Sequence, residues 1–141
     1  MLQGEAADRL LAAARRARER AYAPYSNFAV GAAVLCADGR VFAGCNIENA
    51  AYGPTVCAER VAMFSAVAAG CRQIEAIAVV GPGGGPLTPC GTCRQVMWEL
   101  APNAVVLMEG GDGDGVTATV EELLPSAFGP RNLQTQDRGE T

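Results

Sequence analysis

Three cysteines are spaced as a metal site would need them. Cys90 and Cys93 stand three positions apart at the start of a predicted helix, so both sulfurs lie on one side of it and can reach one ion. Cys57 begins another predicted helix and can supply a third sulfur. A helix N-terminus favours the thiolate, which is the form that binds zinc. The spacing therefore predicts a zinc site made of Cys57, Cys90 and Cys93.

Neighbouring side chains can complete a catalytic centre around such an ion. Three protein ligands leave the fourth tetrahedral position for water, which is typical of catalytic zinc. Glu59 follows a ligand by two residues, so it can accept the proton of that water and deliver it elsewhere. Three thiolates outweigh the charge of Zn²⁺, and a guanidinium that hydrogen-bonds them would withdraw charge from the metal. Arg60 and Arg94 each follow a motif, and we favour Arg60 for this role.

The Cys-x-x-Cys pair and the Cys-Ala-Glu segment each have a simpler interpretation when taken alone. The Cys-x-x-Cys pair alone is typical of a structural zinc half-site, with Cys36, Cys45 or Cys71 as a fourth ligand in a non-enzymatic interaction domain. A redox protein built on that pair would leave the Cys-Ala-Glu segment unexplained. Together the halves match the signature of zinc nucleobase deaminases, with Pro89 before the pair and about thirty residues between them. We therefore favour catalytic zinc and interpret the other three cysteines as core residues.

The composition removes other chemistries and partners. The 141 residues include no histidine and no lysine, which excludes Ser-His-Asp and Cys-His catalysis, lysine Schiff bases and P-loops. A net charge of −4 disfavours nucleic-acid binding, and the arginines between positions 15 and 20 are interpreted as a solvated helix face. Because neither a signal peptide nor a membrane span is predicted, we expect a cytoplasmic protein whose cysteines are mostly reduced.

The elements that would hold these residues alternate between helix and strand. Their order predicts an α/β fold, a three-layer α-β-α sandwich with a mixed five-stranded sheet. We expect a single domain over 1–130 and a polar, disordered tail over 131–141. A Gly/Pro loop (81–86) and an acidic turn (Glu109–Gly115) have no expected role. The predicted helices are 4–21, 57–69, 88–102 and 120–125, and the predicted strands are 28–35, 41–45, 74–80, 104–108 and 116–119.

Longer segments extend the pattern over roughly residues 4–130, in order and without a large insertion. The sequence resembles the small homotetrameric cytidine deaminases that bind zinc through three cysteines. The segments that carry the resemblance are Ser26-Asn27-Phe28, Val30-Gly31-Ala32-Ala33, Gly44 to Gly53, Cys57-Ala58-Glu59-Arg60, Pro89 to Gln95, and Glu121 to Pro125 with Phe128.

The resemblance implies substrate contacts for residues that pattern alone would place elsewhere. From periodicity, Phe28 would pass as a strand core residue and Phe128 as a core anchor at a helix end. The implied contacts are the ribose hydroxyl for Asn46 and Glu48, stacking on the pyrimidine for Phe28, the base carbonyl for the backbone N–H of Ala58, and a neighbouring subunit's site for Ala50, Tyr52 and Phe128.

The implied activity is hydrolytic deamination of cytidine and 2′-deoxycytidine in pyrimidine salvage, with one zinc ion per chain. Zinc hydroxide would attack C4, while Glu59 would protonate N3 and then carry a proton to the departing ammonia. The implied partners are a small nucleoside and other copies of the chain in a tetramer with shared sites, without nucleic acid or membrane. An alternative is a deaminase of the same fold for blasticidin S or a modified nucleoside, which Asn46, Glu48 and Phe128 disfavour. The acidic charge disfavours a polynucleotide deaminase.

Overall fold

Helices and strands alternate along the chain in the predicted order. The computed structural model describes residues 4–133. The strands are β1 Gly31–Cys36, β2 Val41–Cys45, β3 Ile74–Val80, β4 Val105–Glu109 and β5 Gly115–Thr119. The helices are α1 Gly4–Arg18, α2 Ala58–Ala68, α3 Gly91–Leu100, α4 Val120–Leu123 and α5 Pro130–Leu133.

The five strands form one mixed sheet in the order β2-β1-β3-β4-β5. β3 and β4 are parallel, whereas the other neighbouring strands are antiparallel. β3 lies in the middle and is apolar on both faces, with Ala76 and Ala78 on one side and Ile77 and Val79 on the other. The apolar run is uninterrupted from 76 to 80, as a strand covered on both faces needs, whereas Glu75 near the start of β3 is exposed. The predicted α/β class and mixed five-stranded sheet are confirmed.

Helices cover both faces of the sheet. α1 packs on one face, where Leu10 lies in the same apolar cluster as Ala33 of β1. α2, α3 and α4 contribute to the cluster on the other face, through Met63, Met97 and Val120 respectively. The alternation of β1 side chains between these two clusters follows from the two-residue period of a strand. The result is the expected three-layer arrangement.

Two glycines allow helix backbones to lie directly against the sheet. A side chain at Gly31 of β1 would collide with the backbone of α1 at Ala14. A side chain at Gly44 of β2 would collide with the backbone of α2 at Ala58 and Ala62. Because Ala58 begins α2, the contact at Gly44 also fixes the position of the residue before it, Cys57.

The Gly/Pro loop that leads from β3 to α3 interlocks with the acidic turn between β4 and β5. The N–H of Gly111 donates to the carbonyl of Gly83 at 2.7 Å, and Asp112 accepts from the N–H of Gly85 at 3.0 Å. A side chain at Gly110 would collide with the carbonyl of Gly85. The acidic turn, to which the sequence assigned no role, thus holds the loop that precedes the second metal motif.

The expectation that the cysteines are mostly reduced is wrong for one pair, because Cys36 and Cys71 form a disulfide. Both are buried, as expected of core residues. The antiparallel pairing of β1 with β3 sets Cys36 opposite Ile74, three residues beyond Cys71. This register brings the two Cα atoms to 6.3 Å, within the range that a disulfide spans. Cys45 is half-buried and its thiol donates to the carbonyl of Arg20 at 3.4 Å.

Several element ends differ from the predicted ones. α1 ends at Arg18 rather than at 21, and α3 begins at Gly91, after Cys90. Part of the arginine face is not freely solvated, because Arg15 donates to Glu109 at 2.7 and 2.5 Å. The short helix α5 includes residues 131–133, where a disordered tail was expected, and the rest of that tail, 134–141, lies outside the described residues.

Within residues 4–133, none of the helices has the length and apolar character needed to cross a membrane. The longest strand of the sheet, β3, has seven residues.

Candidate metal centre

The three predicted ligands meet at the N-termini of two helices. Cys57 is the N-cap of α2, Cys90 is the N-cap of α3, and Cys93 lies in the first turn of α3. Their sulfurs all lie within 4.8 Å of one another, and those of Cys57 and Cys90 are 3.8 Å apart. The positive ends of both helix dipoles therefore face the sulfur cluster. Such a group can hold a metal ion.

The surroundings of Cys57 favour the thiolate form of its side chain. The pKa of this thiol lies well below its usual range, because Cys93 donates a hydrogen bond to its sulfur and Arg60 and Cys90 donate others. The pKa of Cys93 is raised, because Cys93 gives its proton to that hydrogen bond and is itself buried. The site thus stabilises a thiolate before any metal binds, as a zinc site requires.

The sulfur donors fit an ion that keeps an open coordination position. In the described part of the chain the group consists of three cysteines. Cys36 and Cys71 are bonded to each other, and the Cys45 thiol contacts a backbone carbonyl instead. A closed site with a fourth sulfur is therefore not formed. Three sulfur ligands and one free position are the arrangement of catalytic rather than structural zinc.

Arg60 lies against the cluster, whereas Arg94 does not. Nη2 of Arg60 donates to the sulfur of Cys57 at 3.3 Å. Nε of Arg60 is buried and has no hydrogen-bond partner among residues 4–133. Arg94 instead donates to the backbone carbonyls of Pro89 at 2.7 Å and Leu123 at 2.8 Å. The structure thus brings together the ligand and the arginine that the sequence analysis favoured.

Glu59 is one of the few buried acids of the described chain. Its side chain is 4% exposed, in the first turn of α2 beside the ligand Cys57. Burial raises the pKa of Glu59 to about 7, and the negative charge of Cys57 adds to this shift. A carboxyl group with a pKa near neutrality can both accept and release a proton under ordinary conditions.

A cavity of about 390 Å³ opens beside the sulfurs. Its volume is within the range of pockets for small organic ligands. Two larger depressions, of about 740 and 770 Å³, lie elsewhere on the surface and contain none of the predicted site residues. The predicted residues that line the cavity are Phe28, Asn46, Glu48, Cys57, Ala58, Glu59 and Cys90.

Other lining residues were not singled out from the sequence. They are Ser26, Val30, Thr55, Val56, Leu87 and Thr88. Ser26 stands two positions before the predicted stacking residue, and Thr88 stands two positions before the ligand Cys90. Proximity to a predicted site residue was therefore the signal that could have found them.

Asn46 and Glu48 bind the segment that carries Phe28. Asn46 accepts a hydrogen bond from the N–H of Val30 at 2.9 Å and donates one to the carbonyl of Phe28 at 2.7 Å. Glu48 accepts from the hydroxyl of Ser26 and from its N–H at 3.1 Å. These hydrogen bonds, that of the hydroxyl first, lower the pKa of Glu48, so this group is a carboxylate at neutral pH.

Five predicted site residues do not line the cavity: Cys93, Arg60 and the three that were expected in a neighbouring subunit's site. Tyr52 is 79% exposed and Phe128 is 58% exposed, and Ala50 is exposed in the same loop as Tyr52. Tyr52 also has a left-handed backbone, with φ of 42°. Their expected place in a neighbouring subunit's site stays a prediction.

Comparison with known proteins gives matches along most of the chain. Residues 5–109 match the family model described as the cytidine and deoxycytidylate deaminase zinc-binding region. The chain is 49% identical over 127 residues to the cytidine deaminase of Sporosarcina psychrophila, covering 89% of this chain and 93% of that protein. It is 54% identical over 120 residues to that of Halalkalibacterium halodurans, covering 84% and 91%.

Solved structures share the fold as well as the sequence. The crystal structure of cytidine deaminase from Burkholderia pseudomallei has 56% sequence identity and a TM-score of 0.83, covering 86% of this chain and 98% of that one. The crystal structure of cytidine deaminase from Mycobacterium tuberculosis has 39% identity and a TM-score of 0.77, covering 90% and 99%. The range matched by the family model contains all three clustered cysteines and Glu59.

Proposed function

Since this chain belongs to the family of cytidine and deoxycytidylate deaminases, we propose that it hydrolyses cytidine and 2′-deoxycytidine to uridine and 2′-deoxyuridine. One observation carries the proposal. Three clustered cysteine sulfurs and a buried carboxyl group, Glu59, lie beside a cavity of about 390 Å³. Metal ligands, a proton-transfer group and a cavity are what metal-assisted hydrolysis of a small heterocycle requires.

The proposed metal is zinc, one ion per chain, held by Cys57, Cys90 and Cys93. Sulfur ligands within 4.8 Å of one another and a thiol whose pKa is lowered support this choice. When bound, zinc supplies the Lewis acidity that activates water for attack on C4 of the cytosine ring. The guanidinium of Arg60 draws electron density from the thiolate of Cys57 and so keeps this ligand from weakening that acidity.

Glu59 is proposed to move the protons. Its buried carboxyl group lies one residue beyond Ala58 and two beyond the ligand Cys57, so it faces the same cavity as the metal ligands. As a carboxylate it takes one proton from water and gives it to N3. It then takes the proton of the hydroxyl group that has been added at C4 and gives it to the amino group, which departs as ammonia. A pKa of about 7 suits both directions of transfer.

The remaining cavity residues are proposed to bind the nucleoside. Phe28 stacks on the pyrimidine and is 42% exposed toward the opening. The N–H of Ala58 meets the base carbonyl, because the first N–H groups of a helix have no partner within it. Asn46 and Glu48, which also line the cavity, hydrogen-bond the ribose hydroxyl.

The proposed assembly is a homotetramer with shared sites. Aromatic side chains as exposed as Tyr52 and Phe128 are typical of surfaces that another subunit covers. Ala50 lies beside Tyr52 and would enter the same neighbouring site. The enzyme is proposed to act in pyrimidine salvage in the cytoplasm. Sedimentation or light scattering of the purified protein tests the assembly.

The function is tested by the loss of cytidine absorbance on incubation with the zinc-loaded protein, beside deoxycytidine, cytosine and CMP. Zinc content is measured on the same sample. Conversion of both nucleosides with one zinc per chain would support the proposal. Conversion of cytosine at an equal rate would remove the ribose role of Asn46 and Glu48. Bound zinc without conversion of any of the four would contradict the proposed substrate and move the search to other amino-substituted heterocycles.

A further inference from the structure

The hydroxyl of Ser26 joins two parts of the proposed substrate site. It donates a hydrogen bond to one carboxylate oxygen of Glu48 and accepts one from the backbone N–H of Phe28 at 3.0 Å. The other carboxylate oxygen of Glu48 accepts from the N–H groups of Tyr25 at 2.9 Å and Ser26 at 3.1 Å. A hydroxyl can donate and accept at the same time, which few side chains of this size can do.

The backbone around Ser26 is shaped for this link. Asn27 has a left-handed conformation, with φ of 56°, and so turns the N–H of Phe28 back toward the Ser26 hydroxyl. On the other side, the amide of Asn46 donates to the carbonyl of Phe28 at 2.7 Å. Both backbone groups of Phe28 are therefore held by side chains, one through Ser26 and one through Asn46.

The Ser26 hydroxyl connects the part of the site that is proposed to bind the base with the part that is proposed to bind the ribose. Phe28 is proposed to bind the base, and Glu48 is proposed to bind the ribose. Ser26 also lines the cavity, yet the family resemblance gave it no role. A shift of the Glu48 carboxylate would pull on the hydroxyl and so move the peptide of Phe28, because one oxygen atom contacts both.

We propose that Ser26 is a positioning residue, which holds the ring of Phe28 and the carboxylate of Glu48 in the relative positions that a nucleoside requires. This inference rests on the proposed function. The hydrogen bonds of Ser26 within the described residues do not reach the sulfur cluster or Glu59, so its loss weakens binding in the ground state and the transition state alike. Such a loss raises KM and leaves kcat unchanged.

The test measures KM and kcat for cytidine in the zinc-loaded wild type and in four zinc-loaded variants. The variants are Ser26→Ala, Ser26→Thr, Glu48→Ala and the double variant of Ser26→Ala with Glu48→Ala. Loss of one bridging hydrogen bond is expected to raise KM about five- to tenfold in Ser26→Ala, with kcat changed less than about twofold. Ser26→Thr keeps the hydroxyl and restores most of the affinity. In the Glu48→Ala background, removal of the hydroxyl should change KM much less than in the wild type. Ser65→Ala, which removes an exposed hydroxyl from α2, is the matched control.

Three results would overturn the proposal while leaving the proposed function intact. One is an unchanged KM in Ser26→Ala, and another is a fall in kcat at constant KM. Independent effects of the Ser26 and Glu48 substitutions would also overturn it, since the residue would then act without the carboxylate. Absence of cytidine turnover in the wild type would remove the proposed function and this inference with it.

Discussion

The guanidinium of Arg60 donates a hydrogen bond to the sulfur of Cys57 at 3.3 Å, from three residues further along the same stretch of chain. Its Nε is buried and has no hydrogen-bond partner among the described residues. Burial of an arginine with an unused donor costs free energy, so the side chain has a reason to lie there other than stability. Charge compensation of the thiolate ligands supplies that reason.

Replacement of Arg60 by Gln should weaken metal binding and slow the reaction. The loss of an outer group that hydrogen-bonds a ligand typically costs about 10–100-fold in metal affinity or activity. Zinc transfer to a chelator of known affinity and kcat/KM for cytidine measure the two effects. Arg72→Gln is the control, because Arg72 hydrogen-bonds only the carbonyls of Val67 and Cys71. An equal loss in both variants would mean that the charge of Arg60 has no special part in the site.

Replacement of Glu59 by Gln should keep zinc and abolish turnover. The amide has nearly the same size but cannot carry a proton, so a decrease in kcat of at least about 10²–10⁴-fold is expected. Zinc content and circular dichroism establish that the site and fold remain. Glu99→Gln makes the same change of charge on the exposed face of α3 and should behave like the wild type. A near-normal rate in Glu59→Gln would assign the proton transfer to another group.

Removal of the Cys36–Cys71 disulfide should lower stability without a direct effect on the metal ligands. The bond joins residues 35 positions apart, and closing a loop of this size is worth about 2–4 kcal/mol. Urea unfolding of the double variant Cys36→Ser with Cys71→Ser should show this decrease. Added reductant should lower the free energy of unfolding of the wild type and leave that of the double variant unchanged. Cys45→Ser is the control, and a reductant effect of the same size in all three proteins would contradict the prediction.

Replacement of Gly110 by Ala should disturb both stability and substrate binding. The new methyl group meets the carbonyl of Gly85, so the acidic turn and the Gly/Pro loop must separate. Overpacking of this kind costs about 1–3 kcal/mol. The loop leads to Leu87 and Thr88 in the cavity wall, so KM should rise as well. Gly83→Ala has open space around the added atom and should leave both quantities unchanged. Equal unfolding free energies for the two variants would show that the interlock contributes nothing.

The bounds of strands and helices were predicted most accurately where a single local sequence signal defines them. The bounds of β2 and β3 agree with the prediction. The Asp-Gly pair at 38–39 is typical of the turn that precedes β2, and five consecutive apolar residues, 76–80, are typical of a buried strand such as β3. The start of α3 was placed too early because Thr88 and Pro89 also suit a helix start, whereas the helix uses Cys90 as its N-cap. A cysteine is not a usual cap, and Cys90 makes no side-chain capping hydrogen bond but lies in the sulfur cluster.

Most contacts between segments that are distant in the chain could not be predicted from the sequence. The three clustered cysteines were found because their spacing is itself a chemical signature, and the fold brings them together as expected. The Cys36–Cys71 bond depends on the register between β1 and β3, which no local pattern encodes. The contact of Glu48 with Ser26 likewise joins a loop after β2 to a loop before β1. Such contacts depend on where the sheet brings distant segments.

The disulfide also decides what happens when the chain is cut. Residues 49–54 form an exposed stretch between Cys36 and Cys71. A protease that cleaves there in a dissociated subunit yields one fragment with Phe28, Asn46 and Glu48 and another with the three clustered cysteines and Glu59. The bond between Cys36 and Cys71 ties these fragments covalently, so the nicked molecule runs as a single band on a gel without reductant and as two bands with it. Nucleoside recognition and the metal group would then be parts of a two-chain enzyme joined by one bond.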